Sequence, residues 1–575
     1  MIYMLKMYTV HETYLSKEAP LEGVSLLYEM MDMINESMMQ TAKEMVEISS
    51  INTTEGEKTI GEYIEKYIRE IGYFKAHPNQ VIVRELKDDS LHRRNVLAVL
   101  IGEKHNTGKT LLLHGHTDTV GLEGYGRLKD YACKPDELIK KFREVELPDD
   151  VRKDLDSGDY MFGRGACDMK SGDAVFLGIL KEMAKHPEKM SGNIVVSFNP
   201  VEENLHTGIL EATDILIELK NKYKLDYVMA INNDYICPLY PGDTVKTIYT
   251  GVVGKLLPCF YIQGKETHVG QCFEGLDASM MAAELLRSIH LNHELCDEYE
   301  GEYSYPPSVL KIKDLKPWYN VQTAKDALVY FNYFVHNSSI EEITKKLKCV
   351  AEKTFDTVVK RLYDEAKWFG KASRQKICKY EYCKKVYTYD ELYNLAEKSN
   401  DFDKTKLTEI IRTEIDKKTD SREVPVAAVR YLLEMSNITS PAIVLYYAAP
   451  YCPHNTLQAK DAVLIHDIEQ ITQEMTSETG EEYRMMRFFP SLSDSSYLRI
   501  DDDDESIKML VDNFPGMDML YNLPIDNIKA LDIPSVNYGC YGKDAHKWTE
   551  RVNIPYTFGI LPKLIQKTID KYLVN

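Results

Sequence analysis

The stretch Leu111-Leu112-Leu113-His114-Gly115-His116-Thr117-Asp118-Thr119-Val120 constrains this chain more than any other. Three consecutive leucines predict a strand buried on both faces. Residues two apart in an extended backbone point to the same side. His116 and Asp118 therefore share a face just where the strand should end. A carboxylate beside an imidazole is the usual way to hold a metal-ligating histidine in one tautomer. A core histidine steadied by a turn aspartate fits the same ten residues equally well, so the rest of the chain has to decide.

The same arrangement recurs. Phe162-Gly163-Arg164-Gly165-Ala166-Cys167-Asp168-Met169-Lys170-Ser171-Gly172 leads into a helix predicted to Lys185. Its glycines permit tight turning, and Asp168 is by default a helix N-cap. The apolar strand Gly192 to Asn199 ends in Glu202-Glu203, two adjacent carboxylates that repel unless a cation or water intervenes. Leu225 to Ile231 is another apolar strand, ending at Asp234. Strand, polar residue, helix, repeated, predicts an α/β fold. Its sheet is mixed but mostly parallel, is flanked by helices, and collects polar groups at the carboxyl ends of its strands.

At 575 residues the chain exceeds a single ordinary domain. The pattern changes near Pro241. Lys246 to Gln263 alternates like one long strand. A turn containing His268 follows, then a helix (Leu276 to His290), two strands (Ser308 to Leu315 and Ala327 to Val335), a long helix (Ser339 to Phe369) and an alternating stretch (Gln375 to Tyr389). This β-α-β-β-α-β order predicts an inserted α+β domain. Charged helix over Glu391 to Lys418 extends it. The expected division is 1–242 for the first part of the main domain, 243–420 for the insertion, and 421–575 for the second part. The main domain resumes near Val424, and its last loop carries His546.

A net charge of −20 argues against nucleic acid and anionic membranes as partners. No run of eighteen apolar residues predicts a transmembrane helix, and Met1 to Glu18 lacks a secretory pattern. The eleven cysteines form no paired zinc motif; Cys378 and Cys383 are the nearest pair. Free thiols in a reducing cytoplasm are expected. The methionines of a helix predicted from Val24 to Ser50 read as adaptable core filling.

Taken together, five ordered segments resemble the dinuclear zinc peptidase family of aminoacylases, glutamate carboxypeptidases, acetylornithine deacetylase and succinyl-diaminopimelate desuccinylase. They are HGHTDTV (His114 to Val120), GRGACDMKSG (Gly163 to Gly172), EEN (Glu202 to Asn204), GKETHVG (Gly264 to Gly270) and GKDAHKWTE (Gly542 to Glu550). The resemblance spans most of the chain. The segments NTTEGE, AAPYCPH and SDSSY look most like the family's arginine-utilisation branch.

The resemblance implies a catalytic domain with an inserted lid and dimerisation domain. It implies two Zn²⁺ ions, with Co²⁺ or Mn²⁺ as alternatives. Asp168 would bridge them, His116 and Asp234 would complete one, and Glu203 and His546 the other. Asp118 would orient His116, and Glu202 would act as general base and acid. On the residues alone, Glu202 and Glu203 could exchange roles. His268 would reach across a homodimer to the substrate carbonyl. The expected activity is hydrolysis of an amide bond in a short peptide or amino-acid derivative, in the cytoplasm. A deacylase or decarbamoylase acting on an arginine-related metabolite, and a catalytically silent binding protein, are the alternatives. One departure concerns substrate. Relatives carry an arginine that clamps a carboxylate in the strand where this chain has Phe331 and Tyr333, and a phenol makes no bidentate fork.

Overall fold

The computed structural model describes residues 35–376 and 381–574. The helix expected from Val24 is described only over residues 35–47. Helix α1 (Gly56–Glu70) follows, burying Ile60, Ile64 and Ile68 at helical spacing. The first sheet begins with β1 (Val81–Glu85), β2 (Arg94–Leu100) and β3 (Lys109–His116). Helix α2 (Lys170–Met183) leads to β4 (Asn193–Asn199), and α3 (Thr207–Tyr223) joins it to β5 (Asp226–Asn232). Strand β6 (Lys246–Tyr249) ends this part.

β3 runs parallel to β4 on one side and to β5 on the other. Leu111 and Leu113 pack with Val196 and Ile231 in one apolar layer, while Leu112, Val195 and Ala230 pack against α3 in the other. Burial on both faces removes any need for polar alternation, which explains the three leucines. Register places Leu113 opposite Val196 and Ile231, and His116 opposite Asn199. β3 and β4 thus end level, and β5 ends opposite His114. The last residue of β3, His116, and the loops leaving the three strands, with Asp118, Glu202 and Glu203, and Asp234, lie along one edge of the sheet.

The second sheet contains β7 (Gly254–Leu256), β8 (Pro258–Gln263), β9 (Ser308–Asp314), β10 (Asp326–Val335), β11 (Val386–Thr388) and β12 (Ala442–Tyr447). Its order is β9-β10-β8-β12-β11, with β7 paired to β10. Helices α4 (Ala278–Ile289) and α5 (Ile340–Ser373) cover one face through Phe260, Phe331, Tyr333 and Leu445. Helix α6 (Val424–Met435) covers the other, against Tyr261, Val444 and Tyr446. The expected capping box opens α5, with Ser339 and Glu342 bonded reciprocally. Finally β13 (Tyr483–Met486) and β14 (Ser535–Asn537) return to the first sheet, giving β1-β2-β4-β3-β5-β14-β6-β13.

Three expectations need correction. Lys246 to Gln263 is not one strand but four pieces divided between the sheets. Residues 452–456 lie against it so closely that a Cβ on Gly251 would sit 2.1 Å from Asn455 O. Second, the main domain does not resume at Val424. Strand β12 pairs antiparallel with β8 along its whole length, from Gln263 opposite Ala442 to Pro258 opposite Tyr447. The final strand of the inserted unit is therefore β12, and the first sheet regains the chain only beyond it. Third, strand structure in the Gln375 to Tyr389 stretch is confined to β11 among the described residues, and Cys378 lies outside them.

Candidate metal centre

Asp168 stands between two histidines. Its Oδ1 is 3.0 Å from His116 Nε2 and its Oδ2 is 3.0 Å from His546 Nε2. His546 Nε2 is also 2.9 Å from Glu203 Oε1. Among the described residues, two groups have ligand atoms all within 4.8 Å of one another: His116, Asp168 and Asp234, and Asp168, Glu203 and His546. The chain thus gathers all five residues picked out as metal ligands, with Asp168 in both groups.

Each side chain arrives by a different route. His116 ends β3. Asp168 sits in the glycine turn before α2. Asp234 follows β5, and its Oδ1 accepts from Tyr235 N at 2.8 Å. Between β4 and Glu202 the backbone turns at Val201, where φ is +69°, a left-handed conformation unusual for a β-branched residue. That turn separates the two glutamates. Glu203 enters the second group of ligand atoms, while Glu202 belongs to neither. Glu202 lines the adjoining cavity instead, with Oε1 3.8 Å from His206 Nδ1.

Asp118 does more than face His116, whose Nδ1 lies 3.6 Å from its Oδ1. Its carboxylate accepts from Glu202 N at 3.0 Å, Glu203 N at 3.1 Å and Asn52 Nδ2 at 2.9 Å. A second support was not singled out from the sequence. Arg164 Nη1 donates to Glu550 Oε2 at 2.5 Å, and Arg164 Nη2 to His546 O at 3.0 Å. Glu550 Oε1 accepts from Cys167 N and Asp168 N at 3.1 and 3.3 Å. This buried ion pair fastens the Asp168 turn to the His546 loop. Both residues stand inside the quoted motifs, so their positions were visible but their pairing was not.

The electrostatics are those of a cation site. Burial pushes the carboxyls of Glu202, Glu203 and Asp234 up; for Asp234 the charge of Asp168 adds to the rise. His116 is raised well above the usual imidazole value because Glu202, Asp118 and Asp168 outweigh the effect of burial. Asp168 and Glu203 likewise overcome burial to raise His546 to about 11. Two imidazoles serving four buried carboxylates make a costly cluster unless a cation joins it. The donors, imidazole nitrogen and carboxylate oxygen, suit zinc and similar divalent ions.

The ligands open onto a cavity of about 460 Å³. Its lining also includes Lys255, Leu310, Tyr330 and Arg422, contributed by the inserted unit. Two sequence expectations fall elsewhere. His268 is exposed at the start of a short turn, its Nδ1 accepting from Gly270 N at 3.0 Å, and is not brought to the ligands within one chain. Phe331 and Tyr333 are buried under α4 and α5 and do not line the cavity.

The profile of Peptidase family M20/M25/M40 matches residues 112–500. Protein RocB of Bacillus subtilis (strain 168) is 37% identical over 530 residues, 91% of this chain and 93% of its own. Uncharacterized protein YqjN of the same strain is 33% identical over 542 residues, 94% and 96% of the two chains. The likeness to RocB fits the arginine-utilisation branch. The di-peptidase Dug1p of Saccharomyces cerevisiae shares the fold, with a TM-score of 0.52 at 11% identity over 95% of this chain and 97% of that one. The chain belongs to peptidase family M20/M25/M40 and is a hydrolase of peptide or other amide bonds.

Proposed function

We propose that this protein is a zinc-dependent hydrolase that cleaves a peptide or N-acyl bond in a small peptide or amino-acid derivative. The observation that carries the reading is Asp168 held between His116 and His546, at the junction of two ligand groups. His116, Asp168 and Asp234 would hold one ion, and Asp168, Glu203 and His546 the other. Bound ions of this kind polarise a carbonyl and lower the pKa of water from about 15.7 towards about 7.

The chain's own residues then divide the work. Glu202 takes a proton from the attacking water and passes it to the leaving nitrogen. Asp118 holds the backbone of Glu202 and Glu203 in place through two N–H donors. The inserted unit contributes part of the cavity lining, so its movement would admit substrate and exclude water. A second copy of the chain belongs to the proposal. Val269, Trp318, Tyr319 and Val321 are exposed near His268, which bridges to Gln322, and a docked partner would cover them. His268 would then serve the partner's cavity.

A cytoplasmic setting is part of the same reading. Among the described residues the cysteines are unpaired, and no helix is long and apolar enough to cross a membrane. The likeness to the arginine-utilisation branch favours an arginine-related amide among the candidate substrates.

The test is Glu202→Ala, which should keep fold and bound metal while losing hydrolysis by about 10²-fold or more. Unchanged turnover would remove Glu202 as the base. Fewer than about one divalent ion per chain after gentle purification would overturn the metal reading altogether. A screen of dipeptides and N-acyl amino acids, read by released amine, would identify the substrate.

A further inference from the structure

Residues 200–206 connect β4 to α3 and carry both Glu202 and Glu203. One side chain from far along the chain holds this loop at its two ends. Asp494 Oδ2 accepts from Asn199 Nδ2, in the last residue of β4, at 3.3 Å. Asp494 Oδ1 lies 3.2 Å from Nδ1 of His206, the residue before α3. An ionised carboxylate only accepts, so His206 donates in that contact. The backbone closes the same loop, with His206 N donating to Val201 O at 2.9 Å. Val201 and His206, at the two ends of that closure, have φ of +69° and +55°. A β-branched residue such as Val201 adopts this conformation only where its surroundings impose it.

His206 is fully buried, its ring packed against Tyr497 with centroids 5.2 Å apart and its Nε2 3.9 Å from Cys452 Sγ. Burial alone would lower the pKa of the imidazole, but Cys452, Asp494 and Glu202 outweigh it and hold it well above the usual value. The charged ring faces Glu202, whose Oε1 is 3.8 Å from the same Nδ1. Among the described residues no other lysine, arginine or histidine nitrogen comes within 4.0 Å of that carboxylate. Asp494 and Tyr497 belong to the segment SDSSY and Cys452 to AAPYCPH. Asn52, whose Nδ2 donates to Asp118, belongs to NTTEGE. The three segments converge on one loop: Asp118 takes its N–H groups, and Asp494 takes its two ends. The metal ligands do not account for this. Asp494, His206 and Cys452 join neither ligand group and do not line the cavity.

We propose that Asp494 and His206 are positioning residues for Glu202, Asp494 by stapling both ends of its loop and His206 by facing its carboxylate. The proposal rests on the reading of Glu202 as general base. A base that takes a proton and gives it up again has to keep its place in both charge states. While Glu202 is ionised, the attraction of His206 holds its side chain. Once Glu202 is protonated that attraction lapses, and the staple still fixes the backbone that presents it. Neither positioning residue reaches the cavity, so both act through Glu202.

The test compares zinc-loaded Asp494→Asn, His206→Asn, Glu202→Ala and the double variant His206→Asn/Glu202→Ala with the unaltered chain. Asp494→Asn keeps the size of the side chain, but an amide has a single acceptor oxygen and cannot serve both Asn199 and His206 as the carboxylate does. His206→Asn tolerates the left-handed backbone and offers Asp494 a donor, while removing the ring and its charge. Zinc content and thermal melting establish that each variant is folded and loaded. In Asp494→Asn, amide hydrogen exchange of residues 200–206 should quicken at least about fivefold, with β3 and β4 unchanged. Both single variants should lower kcat about tenfold or more and leave KM within about twofold, the pattern of a lost transition-state contact. In the Glu202→Ala background His206→Asn should change the residual turnover by less than about twofold, because its effect passes through Glu202. An equal loss in both backgrounds marks a general structural effect and overturns the proposal. Unaltered exchange in Asp494→Asn overturns it too, as does a kcat within about twofold of normal in both single variants. Should exchange quicken while Glu202→Ala hydrolyses at the full rate, the staple stands and the reading of Glu202 as base fails.

Discussion

The carboxylate of Asp118 accepts the backbone N–H of Glu202 at 3.0 Å while facing His116 Nδ1 at 3.6 Å. One side chain thus ties the end of strand β3 to the loop that carries Glu202 and Glu203. Removing it touches both. Asp118→Ala leaves two backbone donors, the buried Glu202 N–H and the part-buried Glu203 N–H, without this acceptor, the buried one costing about 1–3 kcal/mol. It should also weaken metal binding about 10- to 100-fold, the usual effect of losing a group that orients a ligand. Metal titration and kcat, measured together, check this. A variant that weakened metal alone, with kcat restored in excess zinc, would show that Asp118 does not govern Glu202.

The Arg164 and Glu550 pair has a different role. Both side chains are at most 2% exposed, and together they hold the Asp168 turn against the His546 loop. Removing one partner from a buried pair strands the other, at about 3–5 kcal/mol. Glu550→Gln should therefore lower denaturant stability by that order. The double variant Arg164→Met/Glu550→Leu should lose less than the sum of its single changes, because no charge is left alone. Additive losses in the denaturation midpoints would argue that the two residues act independently.

Much of this centre is legible in sequence because its ligands follow apolar runs. Leu111 to Leu113, Ile194 to Val196 and the end of β5 each declare a buried strand, and the polar residue after each strand is conspicuous. What sequence hides is pairing over distance. Arg164 and Glu550 are 386 positions apart, and no periodicity connects them. Strand β12 is apolar like a main-sheet strand, so only its pairing with β8 assigns it to the inserted unit. The separation of Glu203, which joins a ligand group, from Glu202, which joins neither, goes with the positive φ of Val201, a conformation that its side chain gives no reason to expect. Lys255 lies within an alternating stretch that reads as continuous strand, and the close approach of residues 452–456 is what breaks it.

His114 yields a pH prediction. Its ring is fully buried, with Nε2 3.0 Å from Ser495 Oγ, and burial together with neighbouring His116 lowers its pKa to about 3. The folded state therefore keeps His114 neutral, whereas the unfolded chain protonates it near the ordinary imidazole value of 6.5. A depressed pKa contributes stability that is present above the unfolded value and is lost as pH falls toward the folded one. Between pH 6.5 and about 3, this residue should remove up to about 1.4 kcal/mol per pH unit. Comparing denaturant unfolding at pH 7 and pH 5, His114→Gln should lose less stability than the unaltered chain. Equal losses would mean that the imidazole is not held neutral.

Asp168 and Asp234 should differ in what their removal does to metal content. Asp168 has an oxygen against each histidine and belongs to both ligand groups, whereas Asp234 belongs to one. Asp168→Asn replaces one of those oxygens with a poor ligand, and both sites also lose the charge that offsets their cations. Asp234→Asn leaves Asp168, Glu203 and His546 complete. Zinc analysis after dialysis against a mild chelator should find close to no ion in the first variant and about one in the second, against two in the unaltered protein. Thermal melting provides a parallel measure. A ligand at 100 times its Kd stabilises by about 2.7 kcal/mol, so saturating zinc should raise the melting temperature of Asp234→Asn and leave Asp168→Asn nearly unmoved. Equal zinc content in the two variants would mean that Asp168 serves a single ion, and that the two groups do not share it.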